Sequence, residues 1–319
     1  MVRRLVIRFL IVAFTLVATA LLTEFALEAR GVARYMPGQT FATVGDARIR
    51  YQLLGAKRPG ATVVILSGLN GSIEQTDQLQ SAVSREVPSL TYDRAGYGFS
   101  QGSTAHSAEE QAAELAALLR ALKIEEPVVV VSYSASADLA RVFAGRYPEK
   151  TAGMYLIAPS MPTLHEFVPK WHSPRRRYWR FVLYELLESS LGYTRLTQRL
   201  GNRQGPESLV EQRAEEVLAR RPHYWAVAQE WYALPVSSQQ TVAAPVPRTL
   251  PIVVAFPKPV PEDETSKALA KLYAELVARS SRGEIVELPH VDHSQLMTPG
   301  PVFDRIVASI QQLSRAGAP

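Results

Sequence analysis

Four apolar, largely β-branched runs constrain this chain more than any other feature. They read VVIL at 63–66, PVVVV at 127–131, GMYLI at 153–157 and PIVVAF at 251–256. None shows the apolar–polar alternation of a strand with one wet face. Each has the character of a strand covered on both sides. Between the first three lie stretches with helical periodicity, IEQTDQLQSAVSREV, SAEEQAAELAALLRALKI and SADLARVFAGRYP. Strands alternating with helices describe βαβ units and a mostly parallel sheet. The expected fold class is α/β.

Smaller signals fill in the order. FATVGDARIRYQLLG alternates apolar and polar residues about Gly45-Asp46, the pattern of a hairpin. SLTYDRAGYG at 89–98 reads as a short strand ending in a glycine-punctuated loop. Ser107 and Glu110 form a capping box ahead of the second helical stretch. Between 161 and 248 the strand signals stop. Helical stretches rich in Arg, Trp and Tyr replace them, among them RRRYWRFVLYELLESS, ESLVEQRAEEVLARR and HYWAVAQEWYAL. The α/β pattern then resumes with PIVVAF, a helix, EIVELP and a closing helix. An interrupted pattern that resumes describes an insertion. The expected organisation is a core of 31–160 and 249–319 with a helical lid at 161–248, a separate helical domain being the alternative.

The N-terminus carries a targeting signal. Arg3, Arg4 and Arg8 precede an unbroken apolar run at 9–22. Counted from Leu5, with Arg8 reaching back to the headgroups, the run approaches the roughly 20 residues of a spanning helix. ATA at 18–20 offers a cleavage site, so segment 1–30 reads as a membrane anchor or as a removed signal sequence. The helical continuation LLTEFALEARG favours the anchor. The arginines stay cytoplasmic, which puts the main domain on the outer, periplasmic or extracellular side. It is membrane-anchored there, or secreted if the signal is cut. The net charge of +5 suits an anionic lipid surface better than nucleic acid, for which no motif is present. The chain has no cysteine, which excludes disulfides, thiol nucleophiles and thiolate metal sites.

The chemistry concentrates after the PVVVV run. Ser134 follows that strand and precedes a helix, with the small residues Ser132, Ala135, Ser136 and Ala137 around it. A strand-to-helix turn that exposes a serine needs small neighbours, because the backbone is tight there. The helix N-terminus also favours developing negative charge. A base must come from elsewhere. PHVDHSQLMTPG follows the last strand and offers His293 and His290, of which His293 is preferred because the loop turns back towards the sheet there. The remaining histidines, including those of the insertion, are assigned to packing or surface. Two backbone amides are needed for an oxyanion. Ala135 supplies one, and Leu69, in the glycine-bearing loop SGLNGS, the other.

Together ILSGLNGS, YDRAGYGFS, VVVVSYSASA and LPHVDHSQLMTP resemble the α/β-hydrolase superfamily over most of 36–313. The chain is most similar to its bacterial branch of single-lid serine hydrolases with an N-terminal membrane segment. The resemblance implies an α/β-hydrolase fold and a Ser…acid…His order. It implies an acyl-enzyme on Ser134, a small-molecule acyl substrate, and no cofactor or metal. The aromatic lid suggests an apolar substrate. Asp93 and Arg94 are expected to shape a loop rather than react. Relatives that use a carboxylate nucleophile, epoxide hydrolases and haloalkane dehalogenases, are disfavoured by Ser134. The departures are Ser67 in place of the usual loop histidine, and Ser132 and Ser136 in place of the elbow glycines. The acid is also missing. Ala158 stands at one usual position, and Glu166, Glu262, Asp263 and Asp292 are poorly placed, so the acid is unassigned. These departures keep a second reading open, a catalytically impaired binding protein at the membrane. The oligomeric state is not set by the sequence.

Overall fold

The computed structural model describes residues 2–102, 106–164, 180, 182–201, 208–258, 263–289 and 291–317. The chain opens with helix α1 (Val2–Tyr35), then the strands β1 (Thr40–Val44), β2 (Ala47–Leu54) and β3 (Val63–Leu66). Next come α2 (Ile73–Val83), β4 (Ser89–Tyr92), α3 (Ala108–Ala121), β5 (Val128–Tyr133), α4 (Ala137–Arg146) and β6 (Thr151–Ile157). After β6 a π-helical turn, Val182–Leu186, leads into α5 (Leu187–Ser190), α6 (Tyr193–Gly201), α7 (Leu209–Ala219) and α8 (Arg221–Ala243). The core resumes with β7 (Ile252–Pro257), α9 (Glu264–Val277), β8 (Gly283–Leu288) and α10 (Pro301–Ala316).

The strands form one eight-stranded sheet in the order β1-β2-β4-β3-β5-β6-β7-β8. β1 and β2 pair antiparallel across the two-residue turn Gly45-Asp46, and β2 pairs antiparallel with β4. All remaining pairs are parallel. Gly45 has φ +59°, a conformation that two-residue hairpin turns require. The sheet is covered on both faces, as the unbroken apolar strands demand. Val128 and Val130 of β5, with Leu66, Leu156 and Val254, pack towards α3, α4 and α9. Val129, Val131 and Tyr133, with Ile65, Ile157 and Ala255, pack towards α2 and α10. Alternate residues of one strand thus fill two separate cores. The Ser107–Glu110 capping box is present at the start of α3, with each residue bonding the other's backbone.

α8 connects the helical insertion to the core. Its buried polar residues, His223, Glu230, Ser237 and Thr241, recur at helical spacing along one side. Each finds a partner in or beside the core. Ser237 Oγ and Gln240 Oε1 accept the first two free amides of α3, from Ala108 and Glu109, at 3.0 Å each. This satisfies a helix N-terminus that would otherwise be unpaired.

Candidate active site

Ser134 occupies the junction of β5 and α4, in a short helical turn over Ser134–Ser136. Its φ is +58°, in the left-handed region. An L-residue held there costs on the order of 1–2 kcal/mol, which surrounding packing must over-determine. That packing is visible. The Ser134 carbonyl accepts the Ser160 amide at 3.1 Å. The Ser136 hydroxyl accepts the Tyr133 amide at 3.1 Å and lies within reach of the Leu66 and Tyr133 carbonyls. Ser136 therefore ties the turn to β3, a link that a glycine there could not make. The strain falls on Ser134 alone: Ser136 has φ −68°, and Ser132 is a regular β5 residue paired with Leu66 and Leu156. Two serines in place of glycines are tolerated because neither position requires a positive φ.

The loop after β3 lies against this turn. A Cβ on Gly68 would sit 3.2 Å from the Tyr133 carbonyl oxygen and 3.5 Å from Ser134 Cβ, so the two backbones approach closely here and a side chain would crowd the turn. Buried Arg94 holds the loop from below. Its guanidinium donates to the Ser67 carbonyl at 2.8 Å and to the Gly68 carbonyl at 3.1 Å. The same group pairs with Glu230 of α8 at 3.1 Å, and the Tyr97 hydroxyl bonds the same carboxylate oxygen. Asp93 accepts amides from Ile73 and Phe99 and pairs with Arg50, which also binds Glu74. Asp93 and Arg94 thus shape loops, as expected. Ser67, in the position of the usual histidine, buries a hydroxyl without a partner among the described residues.

His223 of α8 also holds this loop, a packing role of the kind expected for the histidines of the insertion, with partners the sequence did not name. Its Nδ1 accepts the Gly98 amide at 3.0 Å, which leaves Nε2 to donate to Asn70 Oδ1 at 2.9 Å. Burial, with the nearby Arg220 charge, pushes its pKa down to about 3, so the ring is neutral. Asn70 itself has φ +61°, tolerable for asparagine. Leu69, the expected amide donor, packs its side chain on Tyr97, Ala226 and Val227. The available signal was the seven-residue spacing of His223 and Glu230 about small Ala226 and Val227, which marks a buried face.

His293 begins a short helical turn, His293–Met297, between β8 and α10. Its ring stacks on Tyr133 with centroids 4.7 Å apart, and the Tyr133 hydroxyl donates to the His293 carbonyl at 2.9 Å. The residue preceding Ser134 thus carries the histidine loop. Partial desolvation lowers the His293 pKa below its ordinary value. Among the described residues no hydrogen bond joins His293 to Ser134 and no carboxylate bonds its ring. Asp292 stands at the N-cap of the 293–297 turn, where its carbonyl accepts the Gln295 amide at 2.9 Å and its own amide donates to Gln295 Oε1 at 2.8 Å. Asp263 caps α9, accepting the Ser266 amide at 2.8 Å. Ala158 follows β6 with φ +41°, and its amide donates to the Ala255 carbonyl at 2.7 Å. His290, Glu166 and Glu262 lie outside the described residues.

With sheet order, elbow and loops in place, the chain belongs to the Alpha/beta hydrolase family, which matches residues 63–305. The uncharacterized protein YqjL of Bacillus subtilis (strain 168) is 28% identical over 179 residues, covering 55% of this chain and 68% of that one. Among solved structures, wild-type Cfl2 from Burkholderia cenocepacia aligns with TM-score 0.66 and 18% identity, over 85% of this chain and 94% of its own. A loop variant of the haloalkane dehalogenase DbeA from Bradyrhizobium elkanii aligns with TM-score 0.63 and 18% identity, over 88% and 98%. At such identities the likeness carries the fold and leaves the chemistry to the site.

Proposed function

We propose that this hydrolase-family chain is a serine hydrolase acting on acyl esters or amides. Ser134 Oγ attacks the acyl carbonyl and His293 takes its proton. The tetrahedral oxyanion forms against the amides of Ala135 and Leu69. Collapse expels the alcohol or amine, which leaves with the proton from His293. Water, deprotonated by His293, then releases the acid from the acyl-enzyme. The carrying observation is the left-handed conformation of Ser134 between β5 and α4, with Gly68 packed against it. Strained residues cluster at functional sites, and in a nucleophile elbow this conformation exposes the serine. The missing serine–histidine bond fits an unliganded enzyme, where such contacts are often long. The insertion serves as a lid, a reading supported by α8 packing on the loops that follow β3 and β4. The apolar stretch of α1 serves as an anchor, with the domain on the outer side, and an apolar acyl substrate suits that setting. The helix passes unbroken through the small-residue sequence at 18–20.

The test is turnover of short p-nitrophenyl esters by the full chain in detergent. Ser134→Ala and His293→Ala should each lower kcat/KM by roughly 10⁴-fold or more. Retained activity in His293→Ala with loss in His290→Ala would reassign the base.

A second reading rests on one observation. No carboxylate orients His293 among the described residues, and its ring is instead stacked on Tyr133. On that reading the fold is a binding module at the membrane, and no ester is turned over by the wild-type chain.

A further inference from the structure

α1 is one helix from Val2 to Tyr35, but its two ends have different surroundings. Phe9, Leu10, Ile11, Val12, Phe14 and Leu16 are all exposed. Glu24, by contrast, is 4% exposed. It receives Arg195 of α6 at 2.9 Å, and the same guanidinium binds Glu216 of α7 at 2.7 Å. One turn further on, Glu28 faces Arg220 at 3.9 Å. Beyond that a Cβ on Gly31 would collide with the Glu216 carboxyl group, so α1 and α7 touch backbone to side chain. Arg34 and Tyr35 both reach Gln212. The last third of α1 is thus fixed to the insertion by a buried ionic clamp.

Helix geometry sets a scale for this clamp. Arg4 and Glu24 are 20 residues apart. At about 1.5 Å per residue the separation is about 30 Å, the thickness of a hydrocarbon core. If Arg4 is at one boundary, Glu24 is at the other, and Arg195 meets it there. α6, which carries Arg195, is then level with the lipid headgroups. Its opposite face is apolar: Tyr193, Leu196 and Leu200, spaced three and four apart, are 52%, 52% and 66% exposed. Leu191 and Leu196 line a cleft with Ala20, Thr23 and Leu27 of α1, beside Glu24 and Arg195, so the apolar residues of α6 begin where the span ends. Leu183 and Leu187, just before α6, are exposed as well.

We infer that α6 lies along the bilayer surface beside α1, with Tyr193, Leu196 and Leu200 in the lipid interface. The partner of this face is a lipid surface. The Glu24–Arg195–Glu216 clamp keeps the insertion, rather than the far sheet edge, against the membrane. An apolar helix face next to a span, with an ionic group on its other side, matches the chemistry of interfacial helices. The inference rests on reading α1 as a retained span.

The cysteine-free chain permits a direct test. Single-cysteine variants Leu196→Cys and Leu200→Cys are labelled with bimane in the full chain. Phe14→Cys reports the span, and Ala274→Cys, exposed on α9, reports water. The proteins are reconstituted in phosphatidylcholine vesicles with a minor share of phosphatidylglycerol. Nitroxide lipids with shallow or deep labels, and aqueous iodide, serve as quenchers. The expected result is that labels at 196 and 200 are quenched several-fold more by shallow nitroxide than the label at 274, and are shielded from iodide. Quenching of 14 by deep nitroxide, with 196 and 200 behaving like 274, overturns the inference and leaves the anchor standing. If 14 is also open to iodide, the anchor reading falls and takes the inference with it. All four positions are exposed, so labelling leaves the packed core intact.

Discussion

In the proposed reaction Ser134 concentrates cost and use in one residue. Its positive φ is expensive for serine and free for glycine. Ser134→Gly should therefore raise stability in urea unfolding by about 1 kcal/mol while removing turnover, a trade seen where strain serves chemistry. For His293, desolvation favours the neutral ring. The base then stays competent to lower pH, and the acid limb of kcat/KM against pH should fall below the ordinary imidazole value of about 6.5. His223 also titrates downward, to about 3. Its contribution to stability is full above pH 6.5 and is lost as pH falls towards 3, because the unfolded chain takes up the proton first. The stability advantage of wild type over His223→Gln should shrink across that window. Glu114, pushed up to about 8 by burial, acts in the opposite sense between pH 4.5 and 8, and comparison at each pH cancels it. The turn at Ser134 was legible because small residues sit between a β-branched run and a helical stretch, with the strand–helix order around it completing the reading. The partners of His223 were not, because Gly98 and Asn70 are more than a hundred residues away.

At the level of elements, the strands were legible because burial on both faces leaves an unbroken apolar run, as in β5. The hairpin was legible from Gly45-Asp46. The polar contacts of α8 were hidden, since the aromatic residues of 221–243 draw attention to lid packing and an apolar substrate, and nothing local shows that Glu230 meets Arg94 and Tyr97. The acid stayed unassigned for a related reason. Asp263 is used as a helix cap and Asp292 stands at the N-cap of its own turn, and capping is decided by local turns. Arg94 joins three elements: the loop after β3, the loop after β4, and α8. Arg94→Met would strand Glu230 in a buried setting. It should cost roughly 3–5 kcal/mol in chemical denaturation, against at most about 1 kcal/mol for an exposed pair such as Arg146–Glu109. Recovery of much of that loss by adding Glu230→Gln would identify the unpaired charge as the cause.

Across the whole molecule, α1, the insertion and the sheet form one chain of contacts. α1 is clamped to α6 and α7, α8 runs from the insertion to the loops beside Ser134, and β5 presents the serine. Arg195→Met should free the end of α1, leaving Glu24 and Glu216 to repel each other. Amide exchange over 24–35 should rise while exchange in β5 and β6 stays unchanged. Reaction of the intact, full-length protein with a fluorophosphonate, followed by peptide mapping, reads the proposed nucleophile directly. A single adduct is expected on the peptide carrying Ser134, absent from Ser134→Ala. An unmodified wild-type chain, or an adduct that persists in Ser134→Ala, would contradict the proposal.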